Sequence, residues 1–222
     1  MAEESFERAA GLNPGSAEVL STFALLRLAQ GRADDAVRLM ERAVELDPLS
    51  LMERVHMARA YYVAGRLDEA ISTAQAVLEM EPAFRAARDG LGWAYLASGQ
   101  AAKAVECFEH LPRETGDPFN AAAPRAMAYA AAGRMEDARE MLKLLERRAE
   151  EQPDMHLHMD FGLAHLALGD PDGAVGYLEQ AVKARQGFVV FVPNEPTWAP
   201  IRSHPRFREL MESAGLARWL PA

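Results

Sequence analysis

The sequence predicts an all-α fold built from a series of similar helical pairs. Three observations support it. Glycine returns every 34 residues, alanine follows each of these glycines after five positions, and apolar residues flank each glycine at helical spacing. The glycines are Gly31, Gly65, Gly99 and Gly133, with Gly169 following after 36 residues, and the alanines are Ala36, Ala70, Ala104, Ala138 and Ala174. A fixed period of this length is typical of a solenoid, in which each unit packs on its neighbours.

Each unit is predicted to hold a helix, a tight turn, a second helix and a stop. In the first unit, "AEVLSTFALLRLAQ" and "ADDAVRLMERAVELDP" flank the turn "GR". Ser50 followed by Glu53 predicts a capping box at the start of the second unit. Acidic residues after Gly31, Gly65 and Gly133 are expected at the positive end of the second helix, and Asp170 before Pro171 is a further start signal. The prolines Pro14, Pro48 and Pro82 are placed to end the second helices.

This pattern resembles the tetratricopeptide repeat (TPR), a 34-residue helical hairpin. The third unit matches it at Leu91, Gly92, Tyr95, Ala104 and Phe108. The second unit matches at Met57, Ala58, Tyr61, Ala70 and Pro82, and the fifth at Phe161, Gly162, His165, Ala174 and Leu178. The resemblance covers residues 2–186 and implies a right-handed superhelical solenoid of a half repeat plus five repeats. The predicted units are the half repeat 2–14 and repeats of about 17–48, 51–82, 85–118, 119–153 and 155–186, followed by a tail, 187–222.

Small residues on both helices of a pair are expected to let the two backbones approach closely. Gly92, which costs roughly 1 kcal/mol relative to alanine inside a helix, is then explained by the approach of the helix that carries Ala104. The corresponding positions on the first helices are Ala24, Ala58, Gly92, Ala126 and Gly162. Larger side chains such as Phe23, Leu91 and Phe108 are expected to fill the layers between pairs.

Two prolines depart from the repeat. Pro112 is expected to shorten the second helix of the third unit, with residues 111–118 forming a loop. Pro124 is compatible with the next helix only if that helix begins near residue 121, where backbone N–H groups have no helical partner. This junction is expected to be the softest point of the array.

Both ends of the sequence differ from a full repeat. The first residues match only the second half of one, so the chain is either a piece of a longer array or begins with a capping helix in which Phe6 is partly exposed or covered by another subunit. The tail is expected to end in an amphipathic capping helix that presents Phe207, Leu210, Met211 and Ala214. The segment "PTWAPIRSHPRFRELMESAGL" is similar to the C-termini of bacterial winged-helix regulators, adenylate cyclases and Ser/Thr kinases that carry TPR arrays. This likeness implies a bacterial signalling context.

Composition excludes several classes of function. The net charge is −9 with the two signs interspersed, which disfavours nucleic acid and anionic membranes as partners. Pentatricopeptide arrays, which read RNA, would need a basic groove, and armadillo and HEAT units are longer. No membrane span or signal peptide is visible, so a cytoplasmic location is expected. Cys107 is the only cysteine, which excludes intramolecular disulfides and zinc sites built on several cysteines.

No catalytic or metal-binding pattern stands out. His156 and His158 are expected on different sides of one helix, and they and His165 are interpreted as packing and surface residues. "GDPDG" lacks the spacing of a calcium loop and is predicted to be a turn. No nucleophile elbow or phosphate loop is present. The sequence therefore predicts a protein that is not an enzyme and has no cofactor or metal.

The function expected from the resemblance is binding of a protein or peptide with an apolar segment in a concave groove formed by the first helices. The predicted groove residues are Met52, His56, Arg59, Tyr62, Trp93, Leu96, Met127, Met159 and Leu163, with Ser21, Leu25 and Leu28 at further positions of the same face. These residue types are common at interface centres. The carboxylate clamp of chaperone-binding relatives is missing, since its positions hold Ser21, Leu25, His56, Ala86 and Gly90. Three alternatives stay open: some of these residues belong to the core, the segment "GFVVFV" of the tail covers this groove, or the protein self-assembles end to end as a structural solenoid.

Overall fold

The computed structural model describes residues 2–111 and 121–221. Within these ranges the chain forms helices and turns and contains no strand. The α-helices are α1 (Ala2–Leu12), α2 (Ala17–Ala29), α3 (Ala33–Leu46), α4 (Leu51–Val63), α5 (Leu67–Met80), α6 (Arg85–Ala97), α7 (Ala101–Glu109), α8 (Ala122–Ala131), α9 (Met135–Glu151), α10 (His158–Ala167), α11 (Pro171–Lys183) and α12 (Pro205–Ser213). Short 3-10 helices span Gly187–Phe191, Pro196–Ile201 and Ala217–Trp219.

The helices stack as a two-layered solenoid, which confirms the predicted fold class. Each first helix packs on the second helix of its own pair, as α2 does on α3 and α10 on α11. The first helices α2, α4, α6, α8 and α10 also contact one another in sequence, so they form the inner layer of the stack. The alanines predicted to lie between the paired helices are buried, including Ala36, Ala104 and Ala174, each fully shielded from solvent.

The periodic glycines end the first helices, as predicted. Gly99 has φ +75°, the left-handed conformation that glycine adopts without a steric penalty. Its N–H bonds to the carbonyl of Leu96, and the N–H of Gln100 bonds to the carbonyl of Tyr95, which together cap the end of α6. The glycines of the other four pairs have the same φ to within a degree or so. The 34-residue glycine period is therefore a period of helix C-caps.

The capping box predicted at Ser50 is only half formed. The Ser50 hydroxyl accepts a hydrogen bond from the Glu53 backbone N–H at 3.2 Å. The Glu53 carboxylate instead accepts a hydrogen bond from the Ser21 hydroxyl of α2, also at 3.2 Å and buried. Glu53 therefore joins two neighbouring first helices rather than capping its own. At the last repeat the prediction is confirmed, because Asp170 accepts from the Gly173 N–H at 2.9 Å at the start of α11.

The prolines shape the middle of the array in the predicted way. Helix α7 ends at Glu109, before Pro112, and is shorter than the other second helices. Helix α8 begins at Ala122, so Pro124 lies in its first turn, where its missing N–H costs no helical hydrogen bond. Ala121 precedes this helix with φ 54°. The predicted loop lies outside the described residues apart from Leu111, which is buried.

The space beside Gly92 is occupied differently from the prediction. A Cβ at Gly92 would lie 2.6 Å from the ring of Phe108, so the position is filled by that ring and not by the backbone of the helix that carries Ala104. Phe108 lies on α7, the same helix as Ala104. The predicted helix therefore does pack against Gly92, but it contacts Gly92 through a large side chain. The ring also meets Trp93 edge to face, at 5.3 Å between centroids.

A short helix packs against each end of the stacked repeats, α1 at the N-terminal end and α12 at the C-terminal end. At the N-terminal end, Phe6 of α1 stacks on Phe23 of α2, and Arg27 pairs with Glu3 and Glu7. At the other end, Phe207 and Met211 of α12 are fully buried, as the capping-helix prediction requires. Self-assembly through these ends stays a prediction.

Candidate ligand cavity in the concave groove

Residues 187–201, which we call the strap, lie against the inner layer of helices. The Asn194 side-chain amide donates to the carbonyl of Ala29, at the end of α2, at 3.0 Å. Arg59 of α4 donates to Glu195 at 2.7 Å, and the hydroxyls of Tyr62 and Thr197 are 3.0 Å apart. Polar contacts with two separate inner helices therefore hold the strap on the groove.

The end of the strap is held by packing. Trp198 is only 2% exposed and lies against Gly162 of α10, where an added Cβ would come within 2.9 Å of the indole ring. It belongs to one apolar cluster with Leu178 of α11 and with Phe207 and Met211 of α12. Gly162 is thus the surface on which the strap's tryptophan packs. The tail therefore covers part of the groove, which is one of the alternatives that the sequence left open.

A cavity of about 470 Å³ remains between the strap and the inner helices. On the helix side it is lined by Trp93 of α6 and by Met159 and Leu163 of α10. On the strap side it is lined by Phe188, Phe191 and Trp198. A volume of this size lies within the range of small-ligand pockets, about 300–1,000 Å³.

Arg59 and Glu195 form an ion pair at the wall of this cavity. The Arg59 guanidinium also lies 5.3 Å from the centre of the Phe191 ring, within cation–π range. Arg202 donates to the Glu195 carbonyl at 2.9 Å, and burial lowers the pKa of the Arg202 guanidinium. Burial also raises the pKa of the Tyr62 hydroxyl. These groups are used to hold the strap in place.

Two further carboxylates, those of Asp89 and Asp160, line the cavity without an ion-pair partner in the described part of the chain. Burial raises the pKa of Asp89 to about 6, although Arg85, Arg59 and the Trp93 indole N–H act in the opposite direction. Burial likewise raises the pKa of Asp160, against the field of Arg148. The cavity therefore combines an aromatic wall with two carboxylates that water and neighbouring cations stabilise poorly.

Five of the nine predicted groove residues line this cavity, and four lie elsewhere. Arg59, Tyr62, Trp93, Met159 and Leu163 are brought together at it. Met52 is exposed, Leu96 packs against the apolar cluster of the third pair, and Met127 is half-buried on α8. His56 lies beside Glu53, and burial lowers the pKa of its imidazole. The role of these nine residues in binding stays a prediction.

The three further positions of the predicted face do not line the cavity. Leu28 is 1% exposed and belongs to the core, and Ser21 is buried in its hydrogen bond to Glu53. Leu25 packs against the same core cluster as Leu28. Ser21 and Leu28 are therefore buried, Leu25 is partly buried, and a role of these three residues in binding stays a prediction.

The arrangement of the histidines differs from the prediction. Helix α10 begins at His158, so His156 precedes it, and the two imidazole rings stack at 6.1 Å instead of facing opposite sides of one helix. His156 lines the cavity. His165 bonds to Asp170 at 2.8 Å at the turn between α10 and α11. Across residues 2–111 and 121–221, no three or more His, Cys, Asp or Glu side chains are grouped to hold a metal ion.

Sequence reasoning missed the polar residues of the cavity. Asp89 lies one helical turn before Trp93, and Asp160 follows Met159, so both stand beside residues that the groove prediction contained. Their helical spacing could have indicated that they share the site. Glu195 and Phe191 carried no such signal, because the strap is not part of the repeat.

The sequence matches the tetratricopeptide repeat family over residues 2–62, 28–78 and 61–126, and a second profile of the same repeat matches 124–187. No curated protein sequence matches the chain. None of the described helices has both the length and the apolar character needed to cross a membrane.

Solved TPR structures resemble this fold at low sequence identity. A thermophilic TPR protein from Thermus thermophilus superposes with a TM-score of 0.61 at 19% identity, covering 83% of this chain and 100% of that one. A TPR protein from Parabacteroides merdae superposes with a TM-score of 0.60 at 15% identity, covering 98% of this chain and 90% of that one. Yeast Tom70 superposes with a TM-score of 0.57 at 14% identity, covering 96% of this chain and 45% of Tom70. Since the repeat profiles extend over most of the sequence and the helices stack as in these structures, the chain belongs to the tetratricopeptide repeat family.

Proposed function

We propose that this protein is a non-enzymatic interaction module that binds a protein segment in the cavity between the inner helices and the strap. The observation that carries the proposal is the apolar wall formed by Trp93, Met159 and Leu163 on one side and Phe188 and Phe191 on the other. Aromatic and methionine side chains at the centre of a concave site are the types that contribute most to protein binding. Membership of a family of helical scaffolds supports a protein as the partner.

The dimensions of the site favour an extended segment over a helix. A helix with its side chains is about 10–12 Å across, and a cavity of about 470 Å³ does not hold two turns of one. The strap already lies on the groove at Ala29, Arg59 and Tyr62. We therefore expect one or two side chains of an extended partner to enter the cavity while its backbone stays outside, near Phe188, which is 73% exposed.

Selection from a random peptide library displayed on phage tests the proposal. Selection on the wild-type protein should enrich binding peptides. These peptides should bind the Trp93→Ala variant at least about tenfold more weakly, because the variant lacks an aromatic anchor. Met80→Ala is the matched control, because Met80 is exposed at the end of α5 and does not line the cavity. Peptides that bind wild type and Trp93→Ala equally would show that the cavity is not the binding site.

A further inference from the structure

We infer that the cavity binds the cationic side chain of a lysine or arginine from a partner protein, with its charge paired to Asp89 or Asp160, the two carboxylates of the lining that are unpaired in the described part of the chain, and its methylene groups against the aromatic wall. The inference rests on the proposed function, and it specifies the chemistry of the segment that is bound. It depends on the charge balance of the cavity, on the aromatic wall and on the way in which the strap is fixed.

The charge balance leaves the cavity negative. Arg59 and Glu195 neutralise each other through their ion pair at 2.7 Å. Asp89 and Asp160 then remain, and neither has an ion-pair partner among the described residues. Arg85 and Arg148, whose fields reach these two carboxylates, do not line the cavity. Arg59 lines it and its field also reaches Asp89, but Arg59 is already paired with Glu195. A bound cation would supply the missing partner.

Burial raises the free energy of these carboxylates when they are charged and have no ion-pair partner. The pKa of Asp89 is raised to about 6 by desolvation, and the pKa of Asp160 is raised for the same reason. A partly buried charge interacts with an opposite charge more strongly than one in water does, because the surrounding dielectric constant is lower. A cation entering the cavity would therefore gain more from Asp89 and Asp160 than from the exposed carboxylates of the outer helices.

The aromatic wall suits a cation that carries an apolar stem. Trp93, Phe188, Phe191 and Trp198 present ring faces or edges to the same space. Arg59 already lies 5.3 Å from the centre of the Phe191 ring, so this wall accommodates a guanidinium within the protein itself. Lysine and arginine combine a terminal charge with three or four methylene groups, and both parts find a matching surface here.

The wall is built by fixed contacts and is not a loose covering. Asn194, Glu195 and Thr197 each bond to an inner helix, and Trp198 is buried against Gly162. The cavity is therefore present before a ligand arrives, which reduces the ordering cost of binding.

A matched pair of small probes tests the charge preference. 4-Phenylbutylammonium and the uncharged 4-phenylbutanol have similar shape and differ in charge. At pH 7.5 and low salt, we expect the ammonium probe to bind about tenfold more tightly by calorimetry, a typical effect of one partly desolvated charge pair. Both probes should shift the Trp93 indole N–H resonance, which would place them in the cavity.

Variants that remove a carboxylate charge test whether Asp89 and Asp160 cause the tighter binding of the ammonium probe. Asp89→Asn combined with Asp160→Asn should bring the two affinities to within about twofold, because the amide keeps the size of the side chain but not its charge. Asp34→Asn is the control, since Asp34 is exposed at the start of α3 and does not line the cavity. It should keep the preference of the wild type. Equal affinities of the two probes for the wild type, or no shift of the Trp93 resonance, would overturn the inference.

A peptide pair tests whether the cation belongs to a protein. Acetyl-Leu-Lys-Leu-amide should bind more tightly than the same peptide with norleucine in place of lysine, and the Asp89→Asn/Asp160→Asn variant should lose the difference. If the free amine binds and the lysine peptide shows no preference, a partner side chain is not the occupant and the inference is wrong.

The two proposals fail in different ways. Selected peptides that require Trp93 but show no enrichment of lysine or arginine would contradict the cationic occupant and leave the proposed function in place. Selection that yields no Trp93-dependent peptide would contradict the proposed function, and with it this inference.

Discussion

Arg59 on helix α4 donates a hydrogen bond of 2.7 Å to Glu195, which lies 136 residues further along the chain. This pair joins the second repeat to the strap across the concave face. Together with the contact between Tyr62 and Thr197, it converts a groove into a cavity with two walls. The strap is therefore the feature that separates this protein's site from an open TPR groove.

Arg59→Ala is expected to loosen the strap while the helical array stays folded. The change leaves Glu195, whose side chain is only 15% exposed, without its cation, which should cost about 1–2 kcal/mol for a half-buried pair. Hydrogen–deuterium exchange should rise in residues 187–201 and stay the same in α3 and α5. Arg38→Ala is the control, because Arg38 is 67% exposed in its pair with Asp35. Unchanged exchange in the strap would contradict the role assigned to the pair.

Two glycines of α6 should respond to alanine in opposite directions. At Gly92 the new Cβ would meet the Phe108 ring at 2.6 Å, and overpacking of this kind should destabilise the protein by about 1–3 kcal/mol. At Gly90 nothing lies within 4 Å, so alanine should stabilise it by up to about 1 kcal/mol through its helix propensity. Urea unfolding of both variants measures the two effects. A stabilising Gly92→Ala would show that the Phe108 ring can move aside.

Trp198→Ala is expected to be among the most destabilising single changes in the tail. The side chain is 2% exposed and packs against Gly162, so truncation should cost about 3–5 kcal/mol by leaving a cavity in the cluster of α10 to α12. Trp219→Ala provides the comparison, because Trp219 is only half-buried near the end of the chain. Thermal unfolding should show the larger loss for Trp198→Ala. Similar losses for the two variants would argue against the packing role of Trp198.

The repeat could be predicted from sequence because its signals are local. Gly99 ends α6 through contacts with Tyr95 and Leu96, all within five residues, and the same chemistry recurs in every pair. The partner of Gly92 was predicted less well, because both Ala104 and Phe108 lie on the facing helix and only packing decides which one fills the space.

The site depends on contacts that no local pattern encodes. Arg59 and Trp93 could be assigned to the inner face from their positions in the repeat. Glu195 and Trp198 could not be assigned, since their partners Arg59 and Gly162 are distant in sequence and the strap has no period. The raised pKa of Asp89 arises from its burial in the folded protein, so it too was outside the reach of sequence reasoning.

Asp89 should make stability depend on pH between about 4 and 6. Its folded pKa is raised from 3.8 to about 6, so the folded state binds the proton more tightly than the unfolded state. The stabilisation from this proton is complete below pH 4 and is lost as the pH rises through 6. The groups that face Asp89 or share its cavity are Arg85, Arg59, Trp93, His156, Asp160 and Glu195.

Asp89→Asn removes this cost and should therefore stabilise the protein at pH 7, by up to about 3 kcal/mol on the scale of 1.36 kcal/mol per pKa unit. At pH 4 the gain should largely disappear, because Asp89 is then protonated in the folded wild-type protein. Urea unfolding of wild type and Asp89→Asn at both pH values gives the difference, and Asp34→Asn controls for the loss of one surface charge. An equal effect of Asp89→Asn at pH 7 and pH 4 would mean that the Asp89 carboxylate is as well solvated in the cavity as it is in the unfolded chain.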